Sequence, residues 1–269
     1  MFYGCECSFA GRSCRDFGLM VYDFGSVGQD TSPSFASPGR AITDHIPGRN
    51  DTFLYGVDQS DQLSYTLVLT ADEEAANRGN FFTRWEISEI ASWLCGHQTY
   101  QYLTIRQDDM QTFRFRCIVT EMKLLHFGGV PWAFSFRVTC DSPYAYGYPE
   151  TTRYTSSASS SVTVRYDNRS ALNGYYSPVL TLTMRGTSAS IINASDNDRE
   201  MRLNDLPTSA KTIRIDCANQ TIEDLSTGLN LYPYCNFTFL RLVRGDNTLV
   251  LTGNFDLDIT SEFPVDIGA

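Results

Sequence analysis

Apolar and polar positions alternate with a period of two along much of the chain. Leu63, Tyr65, Leu67 and Leu69 are separated by Ser64, Thr66 and Val68. Residues 113–119 and 134–140 repeat the pattern, and residues 179–184, 212–217 and 248–252 carry it through the second half. Period-two alternation puts one side of a strand on a core and the other toward water. Turn signals separate these runs, among them Asn173-Gly174 and the segment 244–247. The chain therefore reads as mainly β.

One stretch has the helical period instead. Ile87, Ile90, Ala91 and Leu94 recur at spacings of three and four, a single apolar stripe on a helix. Thr83 and Glu86 before it have the spacing of a capping box, in which hydroxyl and carboxylate satisfy each other's backbone N–H groups. Gly96 is expected to end the helix in a left-handed conformation. Trp85 and Trp93 are expected to pack beside the stripe as core aromatics.

Composition shifts near the middle. A Pro- and Tyr-rich segment, 143–149, is followed by the serine-rich stretch 155–161, which reads as a linker. Two domains are expected: residues 1–148, strands plus one helix, and residues 149–269, an all-β sandwich.

Charge narrows the function classes. With 42% hydrophobic residues and a net charge of −10, the chain has core material but no basic surplus for gripping nucleic-acid phosphates. The opening Met1-Phe2-Tyr3-Gly4-Cys5-Glu6 has no basic n-region and no apolar h-region, so no secretory signal is expected, and no apolar run suits a membrane span. Eight cysteines are scattered without CxxC spacing and read as free, mostly buried thiols. Cys5, Cys7 and Cys14 lie closest together; with no histidine near, burial explains them better than a metal.

No catalytic template fits. His45, His97 and His126 have no G-x-S-x-G elbow to serve, and Cys95 and His97 flank a helix stop that gives them no shared direction. There is neither a phosphate-binding G-x-x-x-x-G-K-[ST] loop nor a G-x-G-x-x-G turn. The run 196–200 opens like a calcium loop but has Met201 at the glycine position, and is read as a solvated acidic loop. Asp108-Asp109 and Asp256-x-Asp258 are paired carboxylates of a kind that more often caps turns than cleaves sugars. Sequons at Asn50, Asn168, Asn193, Asn219 and Asn236 are read as chance matches. No enzyme activity, cofactor or metal is expected.

Several short motifs together resemble a known family. Residues 9–19, ending Asp16-Phe17-Gly18-Leu19, resemble the opening of siphophage distal tail proteins. Ile46-Pro47-Gly48-Arg49-Asn50-Asp51 is similar to that family's PGR turn, with Asp51 where a glycine is usual. Trp93-Leu94 resembles that family's helix end and Tyr102-Leu103 the strand after it, while Phe134 to Tyr144, with Cys140 and Pro143, resembles the exit from its ring domain. Asn236 to Phe239 and Gly245 to Leu249 resemble closing strands of its C-terminal domain.

The resemblance implies a split-barrel-like N-terminal ring domain with one helix and a galectin-like C-terminal sandwich. It implies a homohexameric ring joining the tail tube to the tail-tip hub and baseplate or receptor-binding proteins, assembled in the host cytoplasm and carried in the virion. Tape measure protein and then DNA would pass through its lumen, without membrane insertion. Six chains carry 6 × −10 = −60, and acidic groups on the lumen wall would let DNA slide. The loop 24–40 reads equally as a plain surface excursion and as a docking arm; Phe24, Phe35 and Arg40 within it, and Arg49 beyond it, are the candidate inter-subunit docking residues. The alternative is a carbohydrate-binding or receptor-recognition protein, against which all three tryptophans fall in the first half.

Overall fold

A computed structural model describes residues 6–22, 40–58, 62–72, 82–108, 110–157 and 160–266. The chain divides into two compact units between Gly147 and Tyr148, and Asp266 belongs with the first.

The first unit is built on one antiparallel sheet. Its strands are β1 (Glu6–Phe9), β2 (Arg12–Ser13), β3 (Leu19–Val21), β6 (Ser64–Ala71), β7 (Gln101–Arg106), β8 (Phe113–Phe127) and β9 (Val130–Cys140). They lie in the order β2-β1-β7-β8-β9-β6-β3, an open sheet whose end strands do not pair with each other. Ala10 and Gly11 join β1 to β2, and Gly128 and Gly129 join β8 to β9, all four at positive φ. Two successive positive φ values are the tight turn whose twist matches that of a hairpin's strands. A short strand, β10 (Ala145–Gly147), pairs with the start of β8.

The alternation read from sequence fills the core of this sheet. Tyr65, Leu67 and Leu69 of β6, Phe134, Phe136 and Val138 of β9, and Leu103 and Ile105 of β7 are buried in one cluster. The helix α1 (Arg84–Cys95) buries Ile90, Trp93 and Leu94 in the same cluster. Its capping box is formed: Glu86 N–H donates to Thr83 Oγ1 at 3.3 Å, and Thr83 N–H donates to Glu86 Oε2 at 2.7 Å.

Two expectations about this helix are corrected. Gly96 has φ −74 and ψ 7, not a left-handed conformation. Its N–H continues the helical pattern to the Ser92 carbonyl at 2.9 Å, and a Cβ there would stand 2.4 Å from that oxygen. Close approach, not left-handed φ, is what requires glycine. Trp85 is 80% exposed while Trp93 is 5% exposed. Nine residues at ~100° each put Trp85 on the side opposite Leu94.

The second unit is a two-layer sandwich made largely by two long strands. β13 (Val179–Asn193) and β17 (Gly245–Ser261) pair along their length, with an irregularity between Met184 and Ala189. On one side of it, β11 (Glu150–Ser156), β17, β13, β15 (Thr212–Asp216) and β16 (Thr221–Asp224) make one layer. On the other side, β12 (Val162–Asn168), β17, β13 and β14 (Arg199–Leu203) make the second. Leu180, Leu182, Leu257 and Ile259 from the first layer and Ile191, Met201, Leu249 and Leu251 from the second share one buried cluster. Gly253 marks the bend, at φ +128, where a Cβ would meet the Ser188 carbonyl oxygen at 2.5 Å.

Two sequence expectations change here. The serine-rich stretch is not a linker between units: Thr155 and Ser156 belong to β11, and Ser156, fully buried, donates its hydroxyl to the Gly253 carbonyl at 2.9 Å. The segment 244–247 is not all turn, because β17 already starts at Gly245. Asn247 folds back inside, where its Oδ1 accepts from Val243 N–H at 2.9 Å and from Asn193 Nδ2 at 3.0 Å.

Candidate assembly surface

One element of the first unit stands apart from its core. Among the described residues, β4 (Arg40–Asp44) and β5 (Phe53–Asp58) pair only with each other, as a two-stranded ribbon. The sequence makes this ribbon locally: Pro47 sets φ for a turn, Gly48 supplies φ +93, and Arg49 N–H closes it on the Ile46 carbonyl at 3.1 Å. Pro followed by a positive-φ glycine is the signature of a type II turn.

Residues 41–55 are exposed without a break. Among them Ile42, Ile46, Phe53, Leu54 and Tyr55 are large apolar side chains, with Leu54 55% and Tyr55 62% exposed. Phe53 and Tyr55 meet edge to face, centroids 5.0 Å apart, so the aromatic rings pack on each other rather than on a core. A lone two-stranded ribbon is marginal in water and gains stability by covering its apolar side chains.

A second open feature is the side of β8 that faces β7. β7 pairs only with residues 115–117 of β8, whereas β9 follows β8 to its end. Among the described residues, no strand pairs with the β7 side of residues 118–127. Unpaired N–H and C=O groups along such an edge can extend a sheet into another chain.

The candidate docking residues are only partly brought together. Phe24 and Phe35 lie outside the described residues. Arg40 begins β4, with Asp58 as its backbone partner, and Arg49 follows the turn between the strands of the same ribbon. Arg49 reaches Asp51 at 3.7 Å with both side chains largely exposed, an arrangement of little energetic weight. Sequence reading missed Ile42, Phe53, Leu54 and Tyr55. Their signal was present: two β-forming triplets flanking a Pro-Gly turn.

The residues considered for chemistry are occupied structurally. His97 Nε2 lies 3.0 Å from the Trp93 carbonyl, and Cys95 meets Met122 sulfur at 3.7 Å, so the two do not face each other. Asp196 is not a solvated loop residue: its side chain is 1% exposed and held by both ends of Arg241, at 2.7 and 3.0 Å. The Arg241 hydrogen bond holds that carboxyl below the usual range. Asp256 pairs with Arg185 at 2.5 Å and Asp258 with Arg153 at 2.6 Å. Asn168 and Asn193 of the sequons are buried and donate to backbone carbonyls. No cluster of three metal-ligating side chains occurs among the described residues, and no helix among them is long and apolar enough to cross a membrane.

Residues 3–142 match the model of a phage tail protein N-terminal domain, and residues 144–261 match that of a phage tail C-terminal domain. The chain belongs to the phage tail protein family. No curated protein matches it. Among solved structures, this tail protein is similar to the Dit protein of phage SPP1, described as a paradigm of the hub adsorption apparatus in phages infecting Gram-positive bacteria. The match covers 96% of this chain and 98% of that one, with a TM-score of 0.64 and 13% identity, and shows a shared fold. Two structures of the phage P2 baseplate in its activated conformation, with Ca and with Sr, align at a TM-score of 0.49 and 13% identity over 91% of this chain, covering 92% and 90% of theirs. A tail protein is a component of the virion, and the mainly β fold with one described helix is the one its sequence implied.

Proposed function

We propose that this tail protein is a non-enzymatic hub component at the tip of a long-tailed phage. Six copies close into a ring through the first unit. The ring joins the tail tube to the tail-tip, baseplate or receptor-binding proteins, and its channel admits the tape measure protein and then DNA. Chains fold and assemble in the host cytoplasm. The second unit, a sandwich that we class as galectin-like, decorates the outside.

The observation that carries this reading is the exposed apolar ribbon β4–β5, an arm that none of the described residues covers. A ring needs two different complementary patches on each copy, meeting head to tail all the way round. The ribbon and the open side of β8 are two such patches. The docking set is therefore Ile42, Phe53, Leu54 and Tyr55, together with Arg40 and Arg49 and, on sequence grounds, Phe24 and Phe35.

Negative-stain images of the purified chain should show rings with a central hole. The double variant Leu54→Asp, Tyr55→Asp should stay folded and lose the rings, because each charge would have to enter an apolar interface. Intact rings in that variant would remove the ribbon from the interface.

A second reading, recognition of carbohydrate or a host receptor by the second unit, rests on Phe237. This residue is 67% exposed, sits at φ +55, and stacks on Tyr232 at 6.2 Å and 15°. A bulky residue held in a left-handed conformation at the surface is a cost that points to use. Glycan-array binding that disappears in Phe237→Ala would support it; an array with no binding would set it aside.

A further inference from the structure

Cys117 lies where β8 passes from its pairing with β10 to its pairing with β9. Its partner on β9 is Cys140. The hydrogen bonds around them fix the kind of pair they form. Asp141 N–H donates to the Arg116 carbonyl at 3.0 Å, while Cys140 N–H turns away to the Leu63 carbonyl at 2.8 Å. The backbone bonds thus flank Cys117 and Cys140 rather than join them. In an antiparallel ladder this is the closer register, with facing Cα atoms ~4.5 Å apart. That spacing lies inside the ~4.4–6.8 Å range of Cα atoms joined by a disulfide.

Both cysteines are fully buried, and both point into the core of the first unit. The facing Cys140 thiol, together with burial, pushes the Cys117 thiol up. A thiol so placed forms little thiolate, so Cys117 in the folded, reduced protein is slow to react. The same burial would shield a bond, once formed, from reductants.

We propose that Cys117 and Cys140 are a latent redox pair that closes into a disulfide when the chain meets a small-molecule disulfide oxidant. In the first step a cysteine thiolate attacks the oxidant's S–S bond, giving a mixed disulfide and releasing one small thiol. The second cysteine then displaces the other small thiol. Two protein S–H bonds are lost, one protein S–S bond forms, and the oxidant is reduced to two thiols. Local opening of the strands near Cys140 admits the reagent. The bond would tie together the root of the β8–β9 hairpin, whose tip is Gly128-Gly129. This assignment does not depend on the ring reading, since its readout is covalent.

The test uses the full chain, reduced and then incubated with oxidised glutathione, both natively and after refolding from urea in a glutathione buffer. Unreacted thiols are alkylated, and peptides are mapped by mass spectrometry. The expected result is one linked peptide pair containing Cys117 and Cys140, with ~2 Da lost at that pair. The Tm of the oxidised protein should rise by about 5–10 °C over the reduced form. Cys140→Ala should abolish the linked peptide, and the wild-type map stands by itself if that variant fails to fold. Full alkylation of Cys117 and Cys140 after both treatments would overturn the proposal. So would a Cys117 linked to any other cysteine, such as Cys7 or Cys14, which form their own contact through Cys7 N–H and Cys14 Sγ at 3.3 Å.

Discussion

Two tryptophans eight positions apart show how residues of one type take different roles in one helix. Trp93 is buried, stacks on Phe17 at 4.5 Å, and donates its indole N–H to the Phe9 carbonyl at 2.9 Å. That bond ties α1 to β1 and satisfies a carbonyl at the end of a strand. Trp85 has no such place. Trp93→Ala should therefore cost ~3–5 kcal/mol, since it leaves a large cavity and removes the indole tie to β1. Trp85→Ala should stay within about 0.5 kcal/mol. Urea denaturation of both variants measures the difference, and equal losses would show that Trp85 also has a structural role. The capping box of this helix was legible because it depends on two residues three apart. The burial of Trp93 rather than Trp85 was not, because it depends on where β1 and Phe17 meet the helix.

At the scale of elements, strands were legible by type and not by length. The alternating windows fall on β6, β8, β9, β13, β15 and β17, overrunning β6 and β15 by one residue each, but β8 and β13 run to 15 residues and β17 to 17. These long strands outrun their apolar pattern for physical reasons. Among the described residues, 118–127 of β8 have a partner strand on one side only, and none of 118–126 is fully buried, so neither face has to be apolar. β13 changes layer at its irregularity, where the inward set moves from Leu180, Leu182 and Met184 to Ala189 and Ile191. A shift from even to odd positions hides a continuous strand from any fixed period. The serine-rich stretch misled for a related reason. Ser156 is small and polar because it passes under the bend at Gly253 and bonds its carbonyl, not because the chain is loose there. The ribbon was readable as a turn between two short strands; that none of the described residues of its unit covers it could come only from three dimensions.

For the whole molecule, the question is what would hold six acidic chains together. Six copies at −10 give −60, and charges of one sign resist assembly. Some of the arginines are already engaged within their own chain: Arg153, Arg185 and Arg241 each pair with an aspartate. The ribbon, by contrast, offers apolar area with no charge except at its ends and turn. Closure driven by such area is opposed by the net charge and helped by anything that screens it. Rings should thus be scarce at ~20 mM salt, where the Debye length exceeds ~20 Å, and more populated at about 300 mM, where it falls to several ångströms. Sulfate should favour them further by strengthening apolar burial. Sedimentation velocity at one chain concentration across that range reads the ring fraction directly. Rings that dissolve as salt rises would assign closure to ion pairs between copies. The ribbon would then be a contact for a different tail protein, and Leu54→Asp, Tyr55→Asp would leave the ring unchanged.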